Sequence, residues 1–255
     1  MGTAGLIWHE AADTRLFRPV PAVEPQRDLV WVGNWGDEER TQQLHEFLFQ
    51  PVQALGLQAD IYGVRYPGEA LTTLAAAGIV YHGWAPNYRV PQIFSQFRLT
   101  VHIPRQPYVQ ALPGIPTIRI FEALACGMPL ICSPWQDSEG LFTPGKDYWV
   151  AHTGQEMQRY LRALLNDPAA AQALAEHGHR TVLARHTCAH RVDELLAICT
   201  ELGLSVATTD KATPAKTVLP DTPHPLPNGS AYAQYERPLT VSQSAGVRVG
   251  RRKRK

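Results

Sequence analysis

Charged side chains are sparse in this chain, at 18% of 255 residues, and no apolar stretch approaches the roughly 18 residues that span a bilayer. With an apolar fraction of 44%, this composition suits a soluble globular protein, and no transmembrane segment is expected. Cysteine is equally thin. Cys126, Cys132, Cys188 and Cys199 form no CxxC pair and no disulfide-framework spacing, so reduced, mostly buried thiols are expected. The first residues do not follow the basic–apolar–small order of a secretory leader, and the expected location is cytoplasmic. The run His186-Thr-Cys-Ala-His190 does not have a usual zinc spacing, and no metal site is expected there. A surplus of one charge is absent too. The net charge is +1, and five of the 24 basic residues form the terminal Arg251-Arg-Lys-Arg-Lys255. The remainder holds 19 basic against 23 acidic residues, net −4, which excludes a nucleic-acid-binding surface on the folded body by charge. The basic end reads as a solvated terminus, or alternatively as a contact for nucleic acid or anionic lipid.

What is present is an alternation of short apolar strands and helices. Residues 28–33, 58–63, 79–82, 99–103, 130–132 and 149–150 read as strands, the first apolar enough to be buried on both faces. Between and after them, residues 38–55, 71–77, 90–97, 118–126, 154–166, 168–186 and 187–202 carry helical spacing. Such alternation predicts an α/β fold with a doubly wound parallel sheet. Ligands of these sheets bind beyond the carboxyl ends of the strands, so the loops at 33–40, 83–89, 104–119 and 133–147 are expected to share one rim. Residues 1–27 are too short for a layer of their own and read as a strand end and linker, with Leu6-Ile-Trp8 at its start. From 205 to 255, six prolines among Thr, Ser and Ala leave too little apolar surface to offset ordering entropy, and a disordered tail is expected. The domain proper is therefore placed at 28–204.

The stretch from Ile115 to Ile131 organises the rest. Pro116 and Thr117 read as a helix start, with the Thr hydroxyl as cap, and residues 118–126 as a short apolar helix. Gly127 supplies a left-handed stop, Pro129 forbids continuation, and Leu130 to Cys132 returns as a buried strand. The helix carries two charges, Arg119 and Glu122, near the amino end, where unpaired N–H groups attract anions such as phosphate. Arg119 has a second reading, an ion pair with Glu122 three residues on. Gly33-Asn-Trp-Gly36 is most simply a tight turn at a strand–helix junction. His82 and His102 close strands on the expected rim, where most histidines are simply hydrogen-bonded.

Taken together, Tyr81-His-Gly-Trp84, Arg119-Ile-Phe-Glu-Ala-Leu-Ala-Cys-Gly-Met-Pro129, Glu139-Gly-Leu-Phe142 and Gly145-Lys-Asp-Tyr148 resemble the C-terminal, Rossmann-like lobe of a GT-B glycosyltransferase. Within that class they look like the CgeB-like, spore-maturation group, related to glycosyltransferase family 4. The resemblance covers about residues 8 to 200. It implies a nucleotide sugar as donor substrate and no cofactor besides it. It also implies that Glu122 accepts hydrogen bonds from the ribose hydroxyls, a task suited to a carboxylate that only accepts. By the same resemblance, the main chain around Gly83, Trp84 and Ala85 holds the nucleobase edge. Gly33 and Asn34 let backbone approach the diphosphate, which Arg40 or Arg119 would neutralise. Arg119 and His82 are the candidate catalytic residues, since positive charge to stabilise the anionic departing diphosphate is the main demand of transfer without a metal.

Two departures shape the functional expectation. Many relatives carry an E-x7-E pair, whereas the position eight before Glu122 is Gly114. The segment Trp8-His-Glu-Ala-Ala-Asp-Thr-Arg-Leu-Phe-Arg-Pro19 resembles the interdomain linker of these enzymes, which is usually preceded by a whole acceptor-binding lobe. The chain is thus expected to be half of a glycosyltransferase acting on an unknown acceptor, either completed by a separate N-terminal-lobe protein or a truncated copy. The alternative is a nucleotide-sugar-binding module, or enzyme remnant, without turnover.

Overall fold

The computed structural model describes residues 6–20, 27–36, 40–110 and 114–204; the predicted tail lies outside the described residues. Six strands run β1 Arg27–Val32, β2 Ala59–Tyr62, β3 Val80–Tyr81, β4 Phe97–His102, β5 Leu130–Cys132 and β6 Trp149–Val150. They form one parallel sheet in the order β3-β2-β1-β4-β5-β6, with Leu29 opposite Ala59 on one side and Leu99 on the other. That order places a topological switch point between β1 and β4, where such sheets bind ligands.

The strands are apolar because both faces are covered. Val30 and Val32 point into one core layer with Val90, Phe94, Phe121, Leu124 and Val182. Their neighbours Leu29 and Trp31 point into the opposite layer with Leu44, Leu48, Leu74, Met157 and Leu161. The first layer is built by α4 (Val90–Phe94), α6 (Ile118–Ala125) and α8 (Pro168–Arg185). The second is built by α1 (Thr41–Leu44), α2 (Gln50–Leu55), α3 (Gly68–Ala76) and α7 (Gly154–Asn166). Burying one Leu or Phe side chain contributes about 1.5–3 kcal/mol, so the alternation along each strand determines its placement.

Helix ends follow local chemistry. Thr153 Oγ1 accepts from Glu156 N at 3.2 Å to start α7, and Asp167 Oδ1 accepts from Ala170 N at 3.0 Å to start α8 beside Pro168. Thr187 and His190 form a reciprocal cap at the start of α9 (Cys188–Glu201). Gly127, at φ 69, ends α6 as expected.

The structure departs from expectation in three places. The predicted helix at 38–55 begins its α-helical part at Thr41 and widens into a π-helical segment, His45–Phe49, before α2. Pro51 accounts for this, since it has no N–H to donate and its ring crowds the carbonyl four residues back. A short helix, α5 (Gln106–Gln110), stands within the loop predicted at 104–119. Leu6-Ile-Trp8 forms no strand. The amino-terminal segment instead straps onto the domain, with Ala12 bridging Thr187 and Trp8 Nε1 donating to Arg191 O at 2.9 Å.

Candidate functional site

The carboxyl ends of β1, β2 and β3 meet through three glycines. Gly33 N donates to Tyr62 O and Gly63 N to Gly83 O, each at 2.8 Å. A Cβ at Gly63 would overlap the Gly33 carbonyl, so only glycine permits this approach. Gly33 is also held by Tyr66, whose hydroxyl donates to its carbonyl at 2.9 Å, and a Cβ at Gly33 would lie 2.7 Å from the Trp31 ring. Asn34 Oδ1 accepts from Val64 N at 3.0 Å, joining the β1 and β2 loops. Gly83, at φ 72, has open space where a Cβ would project, and Trp84 beside it is 46% exposed.

Across the switch point, α6 presents its charges. Glu122 is only 2% exposed, in a helix whose other buried residues are apolar. One of its oxygens accepts from Asn87 Nδ2 at 2.9 Å and the other pairs with Arg119. Burial raises the Glu122 pKa, and the nearby Arg119 charge and the two hydrogen bonds oppose that rise. Each carboxylate oxygen carries two lone-pair directions, so the group retains accepting capacity beyond these two bonds. Of the two readings of Arg119, the structure shows the ion pair with Glu122, made at the amino end of a rim helix.

His102 ends β4 beneath this helix. Its Nε2 lies 2.9 Å from Thr117 Oγ1, and burial, followed by the charges of Arg40 and Arg119, pushes its pKa down to about 3. Thr117 consequently makes no side-chain cap to α6, contrary to expectation, because its hydroxyl is turned to the histidine. Arg40 is buried at 9% exposure. It donates to Asn34 O at 3.2 Å and to Ile103 O, and its guanidinium sits 5.1 Å from the Trp31 ring centroid. It therefore ties the β1 loop to the end of β4. Arg105 adds another cation here, its Nε 3.6 Å from where a Gly36 Cβ would stand.

His82 belongs to a different set of contacts. Its Nε2 is 2.8 Å from Asp60 Oδ2, its ring stacks on Tyr62 at 4.4 Å, and Arg27 pairs with Asp60 at 2.6 Å. The structure thus brings Glu122 and Arg119 together, places Arg40 with Asn34, and leaves Trp84 partly exposed beside Gly83 on the rim. Gly114 explains the departure from the E-x7-E pattern. It has φ 89, and a Cβ there would overlap the Ser138 hydroxyl, so no carboxylate side chain fits. Two residues at the site escape sequence reasoning. Asn87 follows the Trp84 loop, and only its partner, distant in sequence, reveals it. Arg105 is one of many arginines until β4 delivers it to Gly36.

Among the histidines of the carboxyl-terminal region, His177, His186 and His190 have structural partners, whereas His179 Nδ1 is buried without one among the described residues. His186 Nε2 meets Leu141 O at 2.7 Å, Arg191 Nη2 meets its Nδ1 at 2.8 Å, and His177 pairs with Asp147 at 2.6 Å. No helix among the described residues is long and apolar enough to cross a membrane.

The family described as glycosyl transferase-like matches residues 40–197. The chain belongs to this family. The sequence matches none of the curated proteins. Among solved structures, sucrose-phosphate synthase from Thermosynechococcus elongatus is similar at TM-score 0.61 and 15% identity, over 76% of this chain and 51% of that one. The T4 phage BGT in complex with UDP and Mn2+ is similar at TM-score 0.57 and 15% identity, over 78% of this chain and 51% of that one. The C-terminal domain of a glycosyl transferase group 1 family protein, LpcC from Francisella tularensis, is similar at TM-score 0.54 and 16% identity, over 69% and 99%. These likenesses carry the GT-B lobe fold. The chain spans about half the length of the first two structures.

Proposed function

We propose that this domain is the donor-binding lobe of a glycosyltransferase of the CgeB-like group, holding a nucleotide sugar at the switch point between β1 and β4. The observation that carries this reading is Glu122, a carboxylate 2% exposed on an otherwise apolar helix face, held by Asn87 and Arg119 at the rim. A buried carboxylate is costly to maintain for architecture alone, and two neighbouring ribose hydroxyls suit its remaining accepting capacity. In this arrangement the base lies along Gly83 and Trp84, and the diphosphate lies by Asn34, Arg119 and the amino end of α6. Arg40 braces the β1 loop and adds its charge. The similar T4 phage BGT is in complex with UDP, which makes uridine the first base to test.

Sugar transfer requires an acceptor-binding lobe in addition to this domain. Arg119 would then offset the charge of the departing diphosphate, and His82 remains a candidate only by its place on the rim. Isothermal titration with UDP, GDP and their sugars tests the reading. Micromolar to millimolar binding of one nucleoside diphosphate is expected. Glu122→Ala should weaken it by about 1–3 kcal/mol, the cost of leaving hydroxyl donors unpaired. Absence of binding to every nucleotide overturns the reading, and unchanged affinity in a folded variant removes Glu122 from the site.

A further inference from the structure

Most of the large apolar side chains that this domain exposes are gathered in two segments. Among the described residues, eight of fourteen fall within 6–8 and 192–204, each between 40% and 65% exposed. The two segments are neighbours, because Trp8 Nε1 donates to Arg191 O on α9 and Ala12 bridges Thr187 at the start of that helix. Helix α9 has 14 residues, of which only Arg191 is buried. A helix of that length is marginal in water by itself, so it depends on a packed face.

The exposed residues of α9 are periodic. Val192 and Cys199 stand seven apart, as do Leu195 and Leu202, and Cys188 precedes Leu195 by the same interval. Val192 and Cys199 therefore take position a of a heptad, Cys188, Leu195 and Leu202 take position d, and Leu196 widens the stripe at e. A β-branched residue at a with Leu at d favours two-stranded packing. The other flanking positions hold Ala189, Ile198, Gly203 and one charge, Arg191, which is committed to Glu194 and His186. Asp193, Glu194 and Glu201 fall at the outer positions b and c, so two such helices meet without opposing like charges.

We infer that α9 and the strap form the contact surface for a second copy of this chain, with the two α9 helices packed through this seam. At about 100 Å² for a large apolar side chain, the exposed fractions give roughly 400 Å² of apolar surface per copy. A symmetric pair then removes about 800 Å², and at the roughly 65% apolar content of homodimer interfaces the whole contact is about 1,200 Å². That is the lower end of the range for specific interfaces, which fits a reversible dimer.

Sedimentation velocity of the full chain, from about 1 to 300 μM, tests this, the range bracketing the micromolar dissociation expected of so small a contact. The average mass should rise from one chain toward two. Leu195→Glu places a carboxylate in the seam and should weaken association at least about tenfold. Leu183→Glu, on α8 and outside the seam, starts from a side chain 45% exposed and should leave association unchanged. Circular dichroism checks folding, and Leu195→Ala, which keeps helix propensity, should act in the same direction as Leu195→Glu. Maleimide labelling of Cys199, followed by mass spectrometry, should slow as the dimer forms. A chain monomeric across the whole range overturns the inference and leaves this face to residues 205–255 or to another protein. Association indifferent to Leu195→Glu, or Cys199 labelling that dimer formation does not slow, places the contact elsewhere and overturns it as well.

Discussion

Two buried polar clusters in this domain differ in how completely the protein satisfies them. Around β6 and α8, the fully buried Asp147 accepts from Thr143 N at 2.6 Å, His177 at 2.6 Å and Thr181 Oγ1 at 2.7 Å. Nearby, His186 is bonded through both ring nitrogens and Arg191 serves Glu10 O, His186 and Glu194. At the start of α6, by contrast, Thr117 fails to cap its helix, His102 keeps a nitrogen unpartnered among the described residues, and Glu122 retains accepting capacity. A saturated network fixes architecture; unused donors and acceptors are what the proposed donor would complete, although single unpartnered atoms such as His179 Nδ1 on α8 occur elsewhere. The same residue types therefore carry different meanings in the two places.

The comparison breaks most visibly if Asp147 is removed. Asp147→Ala leaves three donors without their acceptor in a fully buried position. A loss of about 3–5 kcal/mol is expected, typical of breaking a buried charged network, with a melting temperature lower by roughly 10 °C. Thermal unfolding measures this, and the nucleotide affinity of the remaining folded protein should be unchanged. A loss below about 1 kcal/mol would mean that this cluster is no more saturated than the rim.

A smaller effect should appear in the pH dependence of stability. The folded pKa of His102 is depressed to about 3, while the unfolded chain titrates near 6.5. Between those values the unfolded state binds the proton and the folded state does not, so the stability contribution is full above pH 6.5 and falls as pH drops. The slope is about 1.4 kcal/mol per pH unit, or about 2 kcal/mol between pH 6.5 and 5. His186, depressed by its own burial, acts in the same direction, so the informative quantity is the difference between wild type and His102→Gln. Urea unfolding at several pH values should show a shallower acid limb in the variant. Identical limbs would place a proton on the folded-state His102 and remove the argument that its nitrogen waits for a ligand.

The fold was legible because its signals are local and repeated. Strand after strand is marked by apolar runs such as Leu29 to Val32, and helices by their apolar spacing over 154–166, 168–186 and 187–202. Glu122 stood out as a charge on an apolar helix. What could not be read were pairings across the chain: Asn87 with Glu122, His102 with Thr117, Arg105 beside Gly36. Periodicity specifies which face a residue takes and not which distant loop faces it. The expected Thr117 cap failed for the same reason, since His102 competes for its hydroxyl from another strand.

The smallest expected effect sharpens the comparison at the β1 turn. Gly33 has its N–H committed to Tyr62 O and its carbonyl to the Tyr66 hydroxyl, so by its own bonds it resembles the saturated cluster. It nevertheless stands on the rim beside Asn34. Tyr66→Phe removes one hydrogen bond and keeps the ring, which packs 5.5 Å from Trp35 and 4.7 Å from Tyr81. A stability loss of about 1 kcal/mol is expected, with UDP affinity lowered about twofold as the turn loosens. Calorimetry on the variant measures both. Lost stability with unchanged UDP affinity would assign Gly33 and Asn34 to the scaffold, leaving α6 and the Gly83 loop to hold the donor.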